Sequence, residues 1–457
     1  MKSVKNLGRQ TFAVLALSSL AMAVSAAVSV EEAAKLQTTL TPMGAERAGN
    51  AEGTIPEWTG GLPTDAAPVS ENGFFSDPFA DDPKLFTVTA DNVAQYADQI
   101  SPGQLAMFAR YPETYRMHVY PSRRSNTVPD EVFAAVARNA VNTKTVEGGN
   151  GLENFDTAYP FPIPQNGVEA VWNHITRYRG GSFSRTIAQA TPQANGSNTM
   201  VVFKDEFTFA TALTDYSAQT NPNLMFYFTQ RVLSPSRLAG DVLLVHEFIN
   251  QVKEPRLAWI YNAGQRRVRR APQVAYDGPA FGSDGTRTSD NYDFYNGAPD
   301  RYNWKLVGKR EMLIPYNNYK IGSPDIKYDE IIQAGHINQD LVRYEKHRVW
   351  EVEATLKEGQ RHVYAKRHFF INEDNWQVAA LDHYDGRGGL WRVAEAIALQ
   401  RYDEKIPSYA VETLYDLQNG RYVALGMTNE ERENYDTDFE ASSADYTPNA
   451  LRASGIR

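Results

Sequence analysis

Hydrophobic and polar positions alternate with a period of two along most of the chain after Val168, in short runs separated by turn residues. Met200–Phe209, Leu224–Leu233, Val242–Val252 and Leu257–Asn262 read as strands on this pattern. The clearest set is Val349–Leu356, Arg361–Ile371, Trp376–Asp385 and Leu390–Leu399, joined by Lys357-Glu358-Gly359-Gln360, Glu373-Asp374-Asn375 and Gly386-Arg387-Gly388-Gly389. Connections this short force antiparallel neighbours, so the segment predicts a meander. Asn419-Gly420 between Tyr415 and Tyr422 predicts a type I′ hairpin. In the first hairpin, a turn centred on Glu358-Gly359 pairs Val352 with Ala365 and Glu351 with Lys366. Trp350, Val352, Ala354, Val363, Phe369 and Ile371 then share a covered face, and the charges take the other. A slip of one residue would set Trp350 among the charges, so the faces are well specified.

The N-terminal third reads differently. Ser101 is an N-cap with Pro102 at the first helical position, and Glu131–Asn142 carries Val132, Val136 and Ala140 at helical spacing. Between Thr41 and Pro83 the chain is rich in Gly, Pro and Asp but keeps Trp58, Phe74, Phe75 and Phe79, which predicts an extended arm lying on a surface. Residues 27–167 therefore read as arm and helices, and 168–457 as a sheet domain continuous with them. Ahead of both, Lys2, Lys5 and Arg9 precede the apolar run Phe12 to Val24 and the small residues Ser25-Ala26-Ala27. Basic, apolar, small is the order of a cleavable signal peptide, here 1–26. The run is too short for a bilayer core of about 30 Å. The expected location is the periplasm of a Gram-negative bacterium.

Composition narrows the chemistry. With 0 cysteines there is no disulfide, no thiolate metal site, no cysteine nucleophile and no cysteine to acylate. The chain has 46 basic and 55 acidic residues; without the leader's three basic residues the balance is 43 to 55, a net −12. That charge argues against nucleic acid and against adsorption to anionic lipid.

Several clusters could carry function. Arg266, Arg267, Arg269 and Arg270 crowd one strand end; Arg267 and Arg269 could hold an anionic head group, or simply pair with neighbouring carboxylates. His347, His362 and His368 share the charged face of the first hairpin, but its register sets His362 too far along for a three-histidine zinc site. The loop from Tyr276 to Trp304 carries Asp277, Asp284, Asp290, Asp293 and Asp300 without EF-hand spacing; its length reads as a lid. No G-x-S-x-G, H-E-x-x-H, P-loop or G-x-G-x-x-G motif is present, and neither a cofactor nor a catalytic residue is expected. Aromatics make up 12% of the chain: Phe226 and Phe228 share one strand face, and Trp259 and Tyr261 another. With Trp350, Phe369 and Trp391, the last on the face of Val393 and Ile397, they read either as core or as the lining of an apolar cavity.

Two regions carry a resemblance. Leu40-Thr-Pro-Met-Gly-Ala-Glu-Arg-Ala-Gly-Asn50, Gly53-Thr-Ile-Pro-Glu-Trp-Thr-Gly-Gly61, Tyr111-Pro-Glu-Thr-Tyr115, Val119-Tyr-Pro-Ser-Arg-Arg124, Pro160-Phe-Pro-Ile-Pro164 and Trp172-Asn-His174 resemble a large proteobacterial family described as a domain of unknown function. Trp259-Ile-Tyr261, Arg266-Arg-Val-Arg-Arg270, Gly282-Ser-Asp284 and Asp293 are similar to outer-membrane lipoprotein-sorting (LolA/LolB-like) proteins. The resemblance implies a mainly β fold with some α: a large curved antiparallel sheet, a half-barrel with helices on its concave side. It also implies acyl-chain binding in the hollow and, as company, a resistance-nodulation-division (RND) type exporter and an outer-membrane barrel protein. The chain is about twice the length of a lipoprotein carrier, so its arm and insertions could reshape the hollow. The leading expectation is a carrier for an apolar, lipid-like ligand. The alternatives are a ligand-free adaptor between transporter components and, third, a hydrolase.

Overall fold

The computed structural model describes residues 27–432 and 434–454; the expected signal peptide lies outside them. Helices are α1 Val30–Ala33, α2 Pro102–Arg110, α3 Asp130–Asn142, α4 Gly167–Ile175, α5 Tyr328–Ile331 and α6 Pro448–Ser454. Strands are β1 Phe86–Val88, β2 Met117–Val119, β3 Lys144–Val146, β4 Gly151–Glu153, β5 Ser182–Ala190, β6 Met200–Phe209, β7 Leu224–Ser234, β8 Val242–Phe248, β9 Leu257–Asn262 and β10 Arg267–Arg270. They continue with β11 Tyr302–Pro315, β12 Arg343–Leu356, β13 Lys366–Asn372, β14 Val378–Tyr384, β15 Leu390–Arg401, β16 Ile406–Asp416, β17 Tyr422–Met427 and β18 Tyr435–Asp436.

All but β3 and β4 join one open, curved sheet in the order β1-β2-β12-β13-β14-β15-β16-β17-β5-β6-β7-β8-β9-β10, with β11 on β12 and β18 on β5. Pairing is antiparallel except where β2 meets β12 at Arg343 and Tyr344. Strands from before residue 168 therefore extend the sheet. Short connections produce the predicted meander β12 to β17, and β17 closes onto β5, so the sheet runs on into the β5–β10 half.

Both faces are covered over much of this length. On the concave face lie α4 and the 276–301 segment, with Trp172, Ile175, Phe294 and Tyr295 in one core with Val352, Phe369 and Leu381. On the other face, α2 sets Met107 and Phe108 in a second core with Val393, Ile397 and Val411. Ser101 caps α2 in a reciprocal capping box with Gln104, as its position before Pro102 predicts. At the far end, α6 lies over β8–β10, with Tyr446 and Leu451 beside Leu244 and Tyr261.

The arm from 41 to 83 is irregular and pinned along its length. Trp376 Nε1 donates to Met43 O at 2.8 Å, and Trp58 Nε1 donates to Asn126 O at 3.2 Å. Gly44 has φ +90, and a Cβ there would stand 1.8 Å from Pro162 O, so only glycine fits. Arg124 pairs with Asp374 at 2.6 Å with both side chains 2% exposed. Asn173 exchanges hydrogen bonds with the Phe161 backbone. The motifs that carried the family resemblance are thus the joints between arm, helix and sheet.

Two sequence expectations fail in detail. The β12–β13 register pairs Val352 with Phe369 and Glu353 with His368, four residues from the expected one. An even shift preserves the faces, so Val352, Ala354, Phe369 and Ile371 still share the covered side, while Val363 is 40% exposed in the connection. The cause is tertiary: Tyr364 is buried, Asp277 accepts from Val363 N at 3.1 Å and Asp290 meets His362 at 2.9 Å, which stretches the tight turn into a loop. At the second site Tyr415 does pair with Tyr422, but Asp416 N donates to Arg421 O and Gly420 N to Asp416 O. The connection is a longer turn in which Gly420, at φ 75, takes the left-handed conformation and Asn419 does not, so it is not type I′.

Candidate functional site

A cavity of about 140 Å³ lies between β5–β8 and the 276–301 segment. Its apolar wall follows from cross-strand pairing. Phe207 faces Phe228 and Phe209 faces Phe226 across β6 and β7, and Val245 continues the row on β8. Phe183 stacks on Phe207 at 5.2 Å, and Phe226 tilts against Phe207 at 4.7 Å. Phe281 of the long segment, and Val274 just ahead of it, close the other side.

The cavity also has a charged lining. Arg177, Arg179, Arg185, Arg256 and Arg287 all reach its wall. Four of them are neutralised. Arg177 grips Asp293 with both terminal nitrogens, and Arg179 joins the same carboxylate. Burial alone would raise the Asp293 pKa, but the two guanidinium groups outweigh it and hold this acid well below the usual carboxylate range. Arg185 meets Asp205 at 3.1 Å and donates to Tyr292 Oη at 2.9 Å. Arg256 Nε donates to Glu247 Oε2 at 2.6 Å. Burial raises the pKa of Glu247, with Arg256 opposing.

Arg287 is the exception. It is 4% exposed and lies over Tyr292, 4.9 Å from the ring centre. Nη2 donates to Gln189 Oε1 at 3.3 Å, while Nε and Nη1 are buried with no hydrogen-bond partner. Burial lowers its pKa, and the Glu412 charge pulls the other way. Glu412 also lines the cavity and accepts from Asp293 N at 3.1 Å. Burial, with repulsion from Asp293, pushes its pKa up to about 7 against the attraction of Arg287, Arg185 and Arg177.

Of the residues nominated from sequence, Phe226 and Phe228 line this cavity. The others do not. Trp259 and Tyr261 face Leu244 and Val242, on the opposite side of the sheet from Val245 and Ala258, and lie in the core covered by α6. His246 lies 4.8 Å from Trp259 and Arg270 lies 4.9 Å over it. Their inward placement is thus corrected: β9 is apolar on both faces because both are covered, so alternation cannot choose between them. Phe369 is fully buried between Tyr295 and Trp304, in packed interior. Trp350 is half-buried, 6.0 Å from Trp376, with the Lys309 ammonium 4.6 Å over its ring. Trp391 donates to Asp416 Oδ2 at 3.0 Å, and Val393 and Ile397 pack in the core that holds α2. The tryptophans therefore do not share one interior. Arg267 and Arg269 are exposed on edge strand β10, away from the cavity, where a row of cations discourages a further strand from pairing.

The remaining candidates separate. His347 meets Glu345, His362 meets Asp290, and His368 meets Glu351. Among the described residues no cluster of three or more His, Cys, Asp or Glu is arranged to hold a metal ion. The long segment is tied down by buried contacts: His174 with Asp293 O at 2.8 Å, His383 with Asn291 at 2.6 Å, and Arg367 with Asp290 at 2.8 Å. Sequence reasoning missed Arg177, Arg179, Arg185, Arg287 and Glu412. One local signal existed: Arg185 shares a strand face with Phe183 and Ile187, a charge at an inward position of an apolar run.

Among the described residues, no helix is long and apolar enough to cross a membrane. The chain is 67% identical over 444 residues to an uncharacterized protein of Pseudomonas aeruginosa, covering 97% of this chain and 98% of that one. Among solved structures, an outer membrane lipoprotein-sorting protein domain from Vibrio parahaemolyticus aligns with 63% of this chain and 98% of its own, at 12% identity and a TM-score of 0.44. A DUF1329 family protein from Desulfovibrio piger aligns with 60% of this chain and 92% of its own, at 14% identity and a TM-score of 0.41. The family model described as protein of unknown function (DUF1329) matches residues 87–452, and the chain belongs to that family.

Proposed function

We propose that this protein binds and carries an apolar, lipid-like molecule in the periplasm, seated between β5–β8 and the 276–301 segment. The observation that carries this reading is the cavity itself: a phenylalanine wall flanked by charged groups. Such a pocket gains affinity from apolar area removed from water, at about 25 cal/mol per Å², and orientation from its few polar groups. Its volume, about 140 Å³, is close to that of an engineered cavity that holds benzene. One ring or a short stretch of chain fits within it. A longer tail extends through the mouth or displaces Val274 and Phe281. The polar groups are arginines and carboxylates, suited to holding charge, and no covalent step is assigned to them.

The basic–apolar–small order of residues 1–27 supports export, so the mature chain begins near Ala27. An RND-type exporter and an outer-membrane barrel protein are the partners proposed for loading and unloading. Native mass spectrometry of protein purified from the periplasm, followed by solvent extraction, tests the carrier reading. The expected result is a hydrophobic molecule of defined mass that leaves on denaturation. A native mass equal to the bare chain, with no binding of added hydrophobic probes, would turn the reading to a ligand-free adaptor.

A further inference from the structure

The cavity's charged lining has more cations than its own acids match. Five arginines reach the wall: Arg177, Arg179, Arg185, Arg256 and Arg287. Four carboxylates answer them: Asp293, Asp205, Glu247 and Glu412. Asp293 serves two arginines, and Glu412 makes no ion pair within 4.0 Å among the described residues. Arg287 is left with two buried, unpartnered N–H-bearing nitrogens at the cavity wall. A buried donor with no acceptor is unfavourable, more so when charged, so a partner that enters the cavity recovers that loss.

We infer that Arg287 is the head-group site of this cavity, and that the preferred ligand is an amphiphile with a short apolar tail and an anionic head, a carboxylate or a phosphate monoester. The inference rests on the carrier reading and adds to it the polar end of the ligand. Guanidinium geometry suits it: Nη2 gives only one of its two N–H groups to Gln189, so the other forms a two-donor edge with Nε or with Nη1 that can meet two oxygens of one anion side by side. Tyr292 stacks on the guanidinium face and Gln189 holds Nη2, so the free edge is fixed before any ligand arrives. The phenylalanine row from Phe207 to Phe228 then takes the tail. Glu412 sets the opposing term. When protonated it leaves the site cationic; when ionised it competes with the ligand's own charge.

Calorimetric titration of the whole chain at pH 8 with octanoate, octyl phosphate and 1-octanol tests this. Wild type binds at least one of the two anions about tenfold or more tightly than 1-octanol, and which anion wins identifies the head group. Arg287→Gln loses about tenfold for that anion and keeps its 1-octanol affinity. Equal binding of anions and alcohol by wild type would overturn the head-group assignment and leave the carrier reading standing. Binding of none of the three would overturn both. Glu412→Gln guards against misfolding of the first variant: it tightens the anion severalfold and leaves 1-octanol unchanged. An unaltered anion affinity in that variant means that the Arg287 edge is satisfied by water, and the assignment fails.

Discussion

The meander half of the sheet, β11 to β17, and the β5–β10 half use the same alternating strands yet end in different interiors. In the first, α4 and the 276–301 segment fill one face, and α2 with the chain around α5 fills the other. Phe369, Ile371, Trp376 and Leu381 are fully buried there. In the second, α6 covers the outer face, while the inner face of β5–β8 is met by segment 276–301, Ile175 at the end of α4 and Ile406 to Tyr409 of β16, which leave about 140 Å³ open. Strand pattern decides which side chains point inward. What they point at is decided by the elements laid across them, and where those elements meet incompletely the interior stays open.

The sharpest test of this contrast is a pair of aromatic truncations. Phe369→Ala should cost about 3–5 kcal/mol, as large-to-small changes do in packed core. Phe228→Ala, already beside open space, should cost about 1–2 kcal/mol, because the neighbours lose fewer contacts. Urea unfolding with unchanged slope measures both; equal losses would mean that the two interiors are alike. Arg124→Met should come next, at about 3 kcal/mol, because Asp374 is left buried without its guanidinium partner, with only His347 3.8 Å away. Limited proteolysis should then cut within residues 41–83, and an arm that stays protected would show that this pair does not seal it. Gly44→Ala, with its positive φ and close approach to Pro162, should cost about 1–3 kcal/mol. A neutral result would place the arm's hold elsewhere.

The smallest effect is in pH dependence, and it comes from two buried acids of the meander strands, Glu412 on β16 at the cavity and Asp382 on β14 beside α2. Burial raises Glu412 to about 7 from 4.5 and Asp382 to about 7 from 3.8. Asp293 adds repulsion at Glu412, opposed by Arg287, Arg185 and Arg177. Asp382 accepts from Ser101 Oγ and Gly103 N at the start of α2, which moderates its rise. Between the unfolded and folded values the native chain keeps a proton that the unfolded chain has released. Each acid's contribution is therefore complete below about pH 4, falls as pH rises and is lost above about pH 7. Glu412→Gln and Asp382→Asn should each remove part of that slope, on the order of 1 kcal/mol between pH 5 and pH 8. Unfolding curves at the two pH values check it, and an unchanged slope in either variant would show that its acid titrates normally.

Tryptophan emission is a poorer reporter than the sequence suggests, since none of Trp259, Trp350 and Trp391 lines the cavity. Phe228→Trp places a reporter there, and its emission should shift when octanoate binds while the wild-type spectrum stays nearly constant.

By itself the sequence determined the strands, their antiparallel order through the meander, the α2 cap, and the faces of β12 and β13. These follow from period-two alternation, short connections and local capping, which act over a few residues. Even the four-residue error in register left the faces intact, because the side-chain period is two. Tertiary structure alone decided the rest. It stretched the β12–β13 connection by hooking His362 to Asp290, and it turned Trp259 and Tyr261 toward α6. It also gathered Arg177, Arg287 and Glu412 around one cavity. Those three lie on a helix-end loop, a long irregular segment and a late strand. No local pattern links them; only the closing of β17 onto β5, with segment 276–301 folded across the join, brings their charges into one low-dielectric space.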